Sequence, residues 1–160
     1  MIHIDIICLG KLKESYWADA CREYEKRLGA FCRLRIVELT PVSLPEKPSD
    51  AQIAAALESE AAAILEKIPQ GSLVYALCIE GKQRSSQVFA AELARAAVDG
   101  AGNICFLIGS SHGLAQCVKQ RAQQRFSFSQ MTFPHQLARV MLLEQIYRAF
   151  MIERGGKYHK

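Results

Sequence analysis

The sequence has no run approaching the ~20 apolar residues that a helix needs to cross a bilayer. It opens without the basic start and small-residue cleavage site of a secretory leader. Its six cysteines, at 8, 21, 32, 78, 105 and 117, form no CxxC pair, which argues against a zinc ribbon or a thioredoxin-type centre. Most lie in apolar segments, where a free thiol packs as a small hydrophobe, and so many unpaired thiols suit a reducing compartment. Neither GxGxxG nor GxxxxGK[ST] is present, so dinucleotide and P-loop readings lack their fingerprints. No repeat or low-complexity tract divides the chain. The expectation is a cytoplasmic protein with no membrane and no metal, folded as one domain over residues 1–160. Hydrophobic residues at 50% suffice for a core, and charged residues at 22% are too few for a self-repelling, disordered chain.

The net charge of +4 is small but unevenly spread. Residues 1–118 carry 12 basic and 14 acidic side chains, a net of −2. Residues 119–160 carry 8 basic ones (Lys119, Arg121, Arg125, Arg139, Arg148, Arg154, Lys157, Lys160) against Glu144 and Glu153, a net of +6. A basic final quarter suits a polyanion such as RNA, and equally suits a solvated surface.

Strand and helix patterns alternate. Ile2–Cys8 reads as a strand stopped by Gly10. Ser15–Leu28 reads as a helix with Trp17, Ala20, Cys21, Tyr24 and Leu28 along one face. Arg33–Leu39 is a second strand, followed by a loop enforced by Pro41, Pro45 and Pro48. Ser49 and Gln52 have capping-box spacing ahead of an alanine-rich helix reaching Ile68. Leu73–Ile79 is a third strand, Glu80–Ser85 a polar loop, and Phe89, Leu93, Ala96 and Ala97 mark a helix. Ile104–Ile108 is a fourth strand, and a short helix follows Gly113. Phe126–Ser129 is a short fifth strand. His135–Ile152 is the last helix, and Glu153–Lys160 a polar tail. Continuous apolar strands are buried on both faces, which predicts a three-layer α/β fold with a parallel sheet.

The last helix is apolar around more than one stripe, through Leu137, Val140, Met141, Leu142, Leu143, Ile146, Tyr147, Phe150 and Met151. Such a helix is covered on two sides, by its own sheet and by either its own chain or a second subunit. Val140, Leu143, Ile146 and Phe150 are the expected dimer surface. Glu144 and Arg148, at i and i+4, read as an ion pair.

In open α/β sheets, ligands gather at loops leaving the carboxyl ends of strands. Three stand out: Glu80–Ser86, Gly109–Gly113 and Ser127–His135. The glycines permit close backbone approach, or serve only as turns. From the residues alone the reading stops at a small-ligand α/β protein with RNA as a candidate partner.

The segments LCIEGKQRSSQVFA (77–90), FLIGSSHGL (106–114) and FSFSQMTFPHQLARVMLLEQIYRAFMIERGGKYHK (126–160) resemble three signature regions of the RlmH family, within the SPOUT methyltransferases. The most specific parts are S-x-x-T-x-P-H, E-Q-x-Y-R-A and the terminal Y-H-K. Two positions depart from the family pattern: Cys78 stands where Asp is usual, and Ser110 where a second Gly is usual. The resemblance implies a SPOUT-type fold with a C-terminal trefoil knot, a homodimer, and S-adenosyl-L-methionine held by Leu77, Gly109 and the loop Phe128, Ser129, Gln130, Met131, Thr132 and Phe133.

It also implies methyl transfer to N3 of a pseudouridine in 23S ribosomal RNA, on the large subunit or the whole ribosome. That imide nitrogen must lose a proton, so a base or an anion-stabilising cation belongs nearby. His135, Arg139, Tyr158 and His159 are the candidate catalytic residues. Arg148, Arg154, Lys157 and Lys160 are the candidate RNA contacts. The bland readings are a helix-start histidine, a structural arginine and a frayed chain end; His3 and His112 are expected to have no catalytic role. The competing functions are a SPOUT methyltransferase with another RNA target and a non-catalytic RNA- or ribosome-binding protein.

Overall fold

A computed structural model describes residues 1–159; Lys160, one expected RNA contact, lies outside the described residues. The chain runs β1 (Ile2–Leu9), α1 (Ser15–Leu28), β2 (Cys32–Leu39), α2 (Asp50–Lys67), β3 (Leu73–Gln83), α3 (Ser86–Val98), β4 (Asn103–Ile108), α4 (Gln116–Arg121), β5 (Gln124–Ser127) and α5 (His135–Glu153). All five strands pair in parallel in the order β2-β1-β4-β3-β5.

Side-chain alternation divides the core in two, because successive residues of a strand point to opposite faces. Ile4, Ile6 and Cys8 of β1, with Ile104, Phe106 and Ile108 of β4, meet α1, α3 and α5. Ile7 and Leu9, with Cys105 and Leu107, meet α2 and α4. This is the three-layer α/β arrangement the alternating pattern predicts. The capping box forms at α2: Gln52 N donates to Ser49 Oγ at 3.2 Å, and Ser49 N donates to Gln52 Oε1 at 2.9 Å. Such a cap stabilises a helix by about 1 kcal/mol.

Two expectations change. The polar segment Glu80–Ser85 is partly strand, since Lys82 and Gln83 pair with Phe126 and Ser127 of β5. Leu77 also pairs with Phe126, so residues 78–81 bulge between the two pairings. Gly81 makes this crossing close: a Cβ there would lie 2.7 Å from the Phe126 backbone. Polarity misled because Lys82 and Gln83 sit on an edge pairing, with no apolar run to announce it.

The last helix also differs. Leu143 and Ile146 are fully buried within their own chain, and Val140 and Phe150 pack on the same core. α5 lies against both α1 and α3 on the sheet. Leu142, Leu143 and Ile146 are thus consumed internally and unavailable to a second subunit, whereas Leu137, Val140, Met141, Tyr147, Phe150 and Met151 stay partly exposed.

Candidate functional site

The loops after β3, β4 and β5 meet in a cleft of about 820 Å³ at the carboxyl edge of the sheet. That is within the range of small-molecule sites, and its walls are mainly apolar, with Leu77, Ile108, Leu114, Phe128 and Phe133 among them. Leu77, Gly109, Phe128, Ser129, Met131, Thr132 and Phe133 all line it, as expected of the donor-binding residues. Gln130 belongs to the same loop but is exposed and lines no part of the cleft.

Local hydrogen bonds shape each wall. Ser127 Oγ donates to Ser129 O at 2.9 Å, and Met131 N donates to Ser129 Oγ at 3.0 Å, which tightens the segment after β5. Gly113 N donates to Ser110 O at 2.9 Å, closing a turn after β4 with Gly113 at φ +83. Gly109 is required by this turn itself: a Cβ would lie 2.3 Å from Gly113 O. Its bare backbone thus serves loop closure, one of the two roles the sequence left open for these glycines. At the rim, Lys119 pairs with Glu80 and holds that carboxyl below its usual range.

His135 opens α5 and lines the cleft. Its ring packs over Gly10, where a Cβ would lie 2.9 Å from Cε1 and where φ is +106. Burial first, then the neighbouring Arg139 charge, push the imidazole below its ordinary value, with Glu14 opposing. Its Nδ1 is buried without a protein partner. The site therefore holds a neutral imidazole, the form that accepts a proton.

Arg139 does not line the cleft. It is buried one turn along α5, donating through one terminal nitrogen to Glu38 Oε2 at 2.8 Å and through the other to Gly10 O at 3.0 Å. It ties α5 to the ends of β1 and β2, directly beneath His135. Its acidic partner is in its own chain. Glu38 was missed from sequence because it sits on a strand remote from every motif.

Tyr158 and His159 lie away from the cleft. The expected Glu144–Arg148 pair forms, with Arg148 Nε donating to Glu144 Oε1 at 2.9 Å. Tyr158 donates to the same Glu144 oxygen at 3.2 Å, meets Tyr147 edge-on at 4.9 Å, and carries the Arg148 guanidinium 4.7 Å above its ring. Burial first, then Tyr24 and the Glu144 charge, push its pKa up, which favours the protonated phenol. His159 Nε2 lies 2.8 Å from Gln87 Nε2 of α3, and its Nδ1 is 3.5 Å from Arg148. The tail is docked, where its polarity suggested a loose end. Arg154 covers the Phe31 ring at 4.4 Å, and Lys157 is exposed.

The buried thiols offer no competing chemistry. Desolvation pushes Cys8, Cys21 and Cys32 up to about 11, and Cys105 up to about 12. They remain protonated and packed, whereas Cys117 is exposed and Cys78 lies in the cleft wall. Among the described residues no group of three metal-ligating side chains comes together, and no helix is long and apolar enough to cross a membrane.

Comparison with known proteins places this geometry. The family model described as Predicted SPOUT methyltransferase matches residues 2–159. The ribosomal RNA large subunit methyltransferase H of Exiguobacterium sibiricum is 50% identical over 159 residues, covering 99% of this chain and 100% of that one. The protein of the same name from Streptococcus equi subsp. zooepidemicus is 48% identical over 157 residues, covering 98% and 99%. A crystal structure described as a probable methyltransferase from Bordetella pertussis Tohama I shares the fold, with a TM-score of 0.56 at 17% identity, over 92% of this chain and 96% of that one. With a family model spanning nearly every residue and relatives near half identity over their whole length, the chain belongs to the SPOUT methyltransferases, in the ribosomal RNA large subunit methyltransferase H family.

Proposed function

We propose that this protein transfers the methyl group of S-adenosyl-L-methionine to N3 of a pseudouridine in 23S ribosomal RNA. The observation that carries the reading is the convergence of the loops after β3, β4 and β5, each bearing part of a family signature, on one cleft with His135 in its wall. The cleft fits the donor's chemistry: apolar walls suit its uncharged rings, and loop hydroxyls and amides suit its polar edges. Leu77, Gly109 and the segment from Phe128 to Phe133 would hold it. When bound, the donor supplies an electrophilic methyl on a sulfonium.

The chain's own residues do the rest. The cleft walls orient the reactants and exclude water. His135 accepts the imide proton from the acceptor nitrogen. Arg139, anchored by Glu38 and Gly10 O, keeps that imidazole placed, and its own positive charge disfavours protonation of the ring. Arg148, Arg154, Lys157 and Lys160 neutralise RNA phosphates, and Tyr158 and His159 serve the acceptor by donating hydrogen bonds and stacking on a base.

Two features of architecture belong to the same proposal. α4 packs with α2 on one face of the sheet, whereas α5 packs with α1 and α3 on the other. The chain therefore changes faces between Arg121 and His135, passing the loops after β3 and β4, which suits a trefoil knot. Ile79 and Met131 are apolar, exposed and set in the cleft rim, which suits a homodimer that covers it. The work place is the cytoplasm, with the large subunit or whole ribosome as partner. Mass spectrometry of 23S RNA from a strain lacking the gene tests the reading. The N3-methylpseudouridine should vanish, and return when the gene is restored; persistence of the modification would reject it.

A further inference from the structure

Glu60 lies outside the motifs and outside the cleft wall, yet it bonds to a residue of that wall, Ser110. On α2 it falls between Ala56 and Ile64 on the stripe turned toward the sheet, and it is 5% exposed. That stripe, in an alanine-rich helix, would pack at least as well with another alanine. A buried carboxyl there disfavours folding unless its oxygens are matched. Among the described residues only one is matched: Ser110 Oγ donates to Oε1 at 3.0 Å, while Oε2 has no hydrogen-bond partner. So the group does not serve α2.

What it holds is the turn after β4. Ser110 begins that turn, and Gly113 closes it by bonding back to Ser110 O. Gly109 has no slack, because Gly113 O fills the space beside it. Where Ser110 is pinned, the whole 109–113 wall of the cleft is pinned. The Val42 amide also faces Glu60, so the proline-bearing segment before α2 meets the same carboxyl. Burial raises the Glu60 pKa, with Ser110, Val42 and then His112 opposing it.

We infer that Glu60 is a positioning residue for the methyl-donor cleft, acting through Ser110 to fix the turn after β4 in its donor-binding shape. This rests on the donor reading above. It also gives Ser110 a purpose, since among the described residues its hydroxyl alone engages Glu60 through a side-chain hydrogen bond.

The test compares wild type with Ser110→Ala, Glu60→Ala, Glu60→Gln and the double alanine variant. Each is measured for S-adenosylmethionine affinity by calorimetry, for melting temperature, and for KM and kcat toward the donor. Ser110→Ala and Glu60→Ala should each weaken donor binding about five- to tenfold, the effect of one lost hydrogen bond. KM for the donor should rise by the same factor, and by more than kcat falls. The double variant should bind no worse than Glu60→Ala, because both cut one link. Glu60→Gln, which keeps the acceptor for Ser110, should bind within about twofold of wild type. Should Glu60→Ala fail to fold, Glu60→Met, close in size but without an acceptor, takes its place in the single and double comparison with Ser110→Ala. Alanine variants that bind the donor like wild type, whatever their melting temperature, overturn the inference alone. A wild-type chain that binds no donor overturns the functional reading and this inference with it.

Discussion

The cleft and the C-terminal tail carry the same kinds of residue, yet the chain treats them oppositely. In the cleft, His135 is held neutral, with Nδ1 unpartnered and the ring wedged over Gly10. In the tail, Tyr158 and His159 are partnered: Glu144, Tyr147, Arg148 and Gln87 take up their polar and aromatic surfaces. Unspent hydrogen-bonding capacity sits in the cleft, and spent capacity in the tail. A group that is to act on a substrate needs the first condition. A group that reaches substrate only after rearrangement, or only from a second protomer, can tolerate the second.

The largest expected effect breaks the comparison at His135. His135→Gln should lower methyl transfer by on the order of 100-fold or more, the usual worth of a general base. Donor affinity by calorimetry should stay near wild type. Normal turnover in the variant would move the base elsewhere.

Removal of residues 158–160 comes next. It should cut methyl transfer on the order of tenfold or more, since one stacked base alone contributes about 1–3 kcal/mol. It should also lower stability by about 1–2 kcal/mol, because Tyr158 loses an edge-on aromatic contact, a cation–π contact and a hydrogen bond. A truncated chain with an unchanged melting temperature would show that the docked tail contributes nothing.

Gly81→Val sharpens the contrast from the other side. A side chain 2.7 Å from the Phe126 backbone must push β3 from β5, costing about 1–3 kcal/mol. Hydrogen exchange should quicken in residues 124–133 and leave the tail's protection unchanged. Equal loosening of both regions would mean that they are one cooperative unit.

The smallest effect is on pH. The His135 imidazole sits below its ordinary value of about 6.5, so protonation disfavours the native state. The stability is intact above about 6.5 and falls as pH drops from there toward the depressed folded value. Chemical denaturation of wild type and His135→Gln between pH 7.5 and about 5 checks this. Wild type should lose stability on acidification more steeply than the variant; parallel curves would remove His135 as the cause.

The layering of the fold was legible because its carriers are periodic. Ile4, Ile6 and Cys8 alternate with Ile7 and Leu9, and Ser49 with Gln52 announces α2. Parallel pairing followed from strands apolar on both faces. The cleft was legible through short motifs at strand ends. What escaped is set by contacts remote in sequence. Polar Lys82 gives no sign that it will pair with Phe126, and Arg139 does not name Glu38 a hundred positions away. The apolar α5 pattern marked deep burial correctly but could not say whose surface covers it. Glu60 did leave a signal: it interrupts an otherwise apolar stripe at positions 56, 60, 61 and 64. Tail docking left none, because Tyr158 earns its burial from aromatic neighbours and one shared carboxylate.

The central claim, donor and acceptor meeting beside His135, is tested most directly by isotope transfer. Purified protein is mixed with ribosomes from a strain lacking the gene and with S-adenosylmethionine carrying a deuterated methyl. The nucleosides of the 23S RNA are then resolved by mass spectrometry. The account predicts one deuterated methyl on a single pseudouridine, at N3, from wild type and almost none from His135→Gln. Label on another nucleotide, or no label while the donor binds, would contradict it.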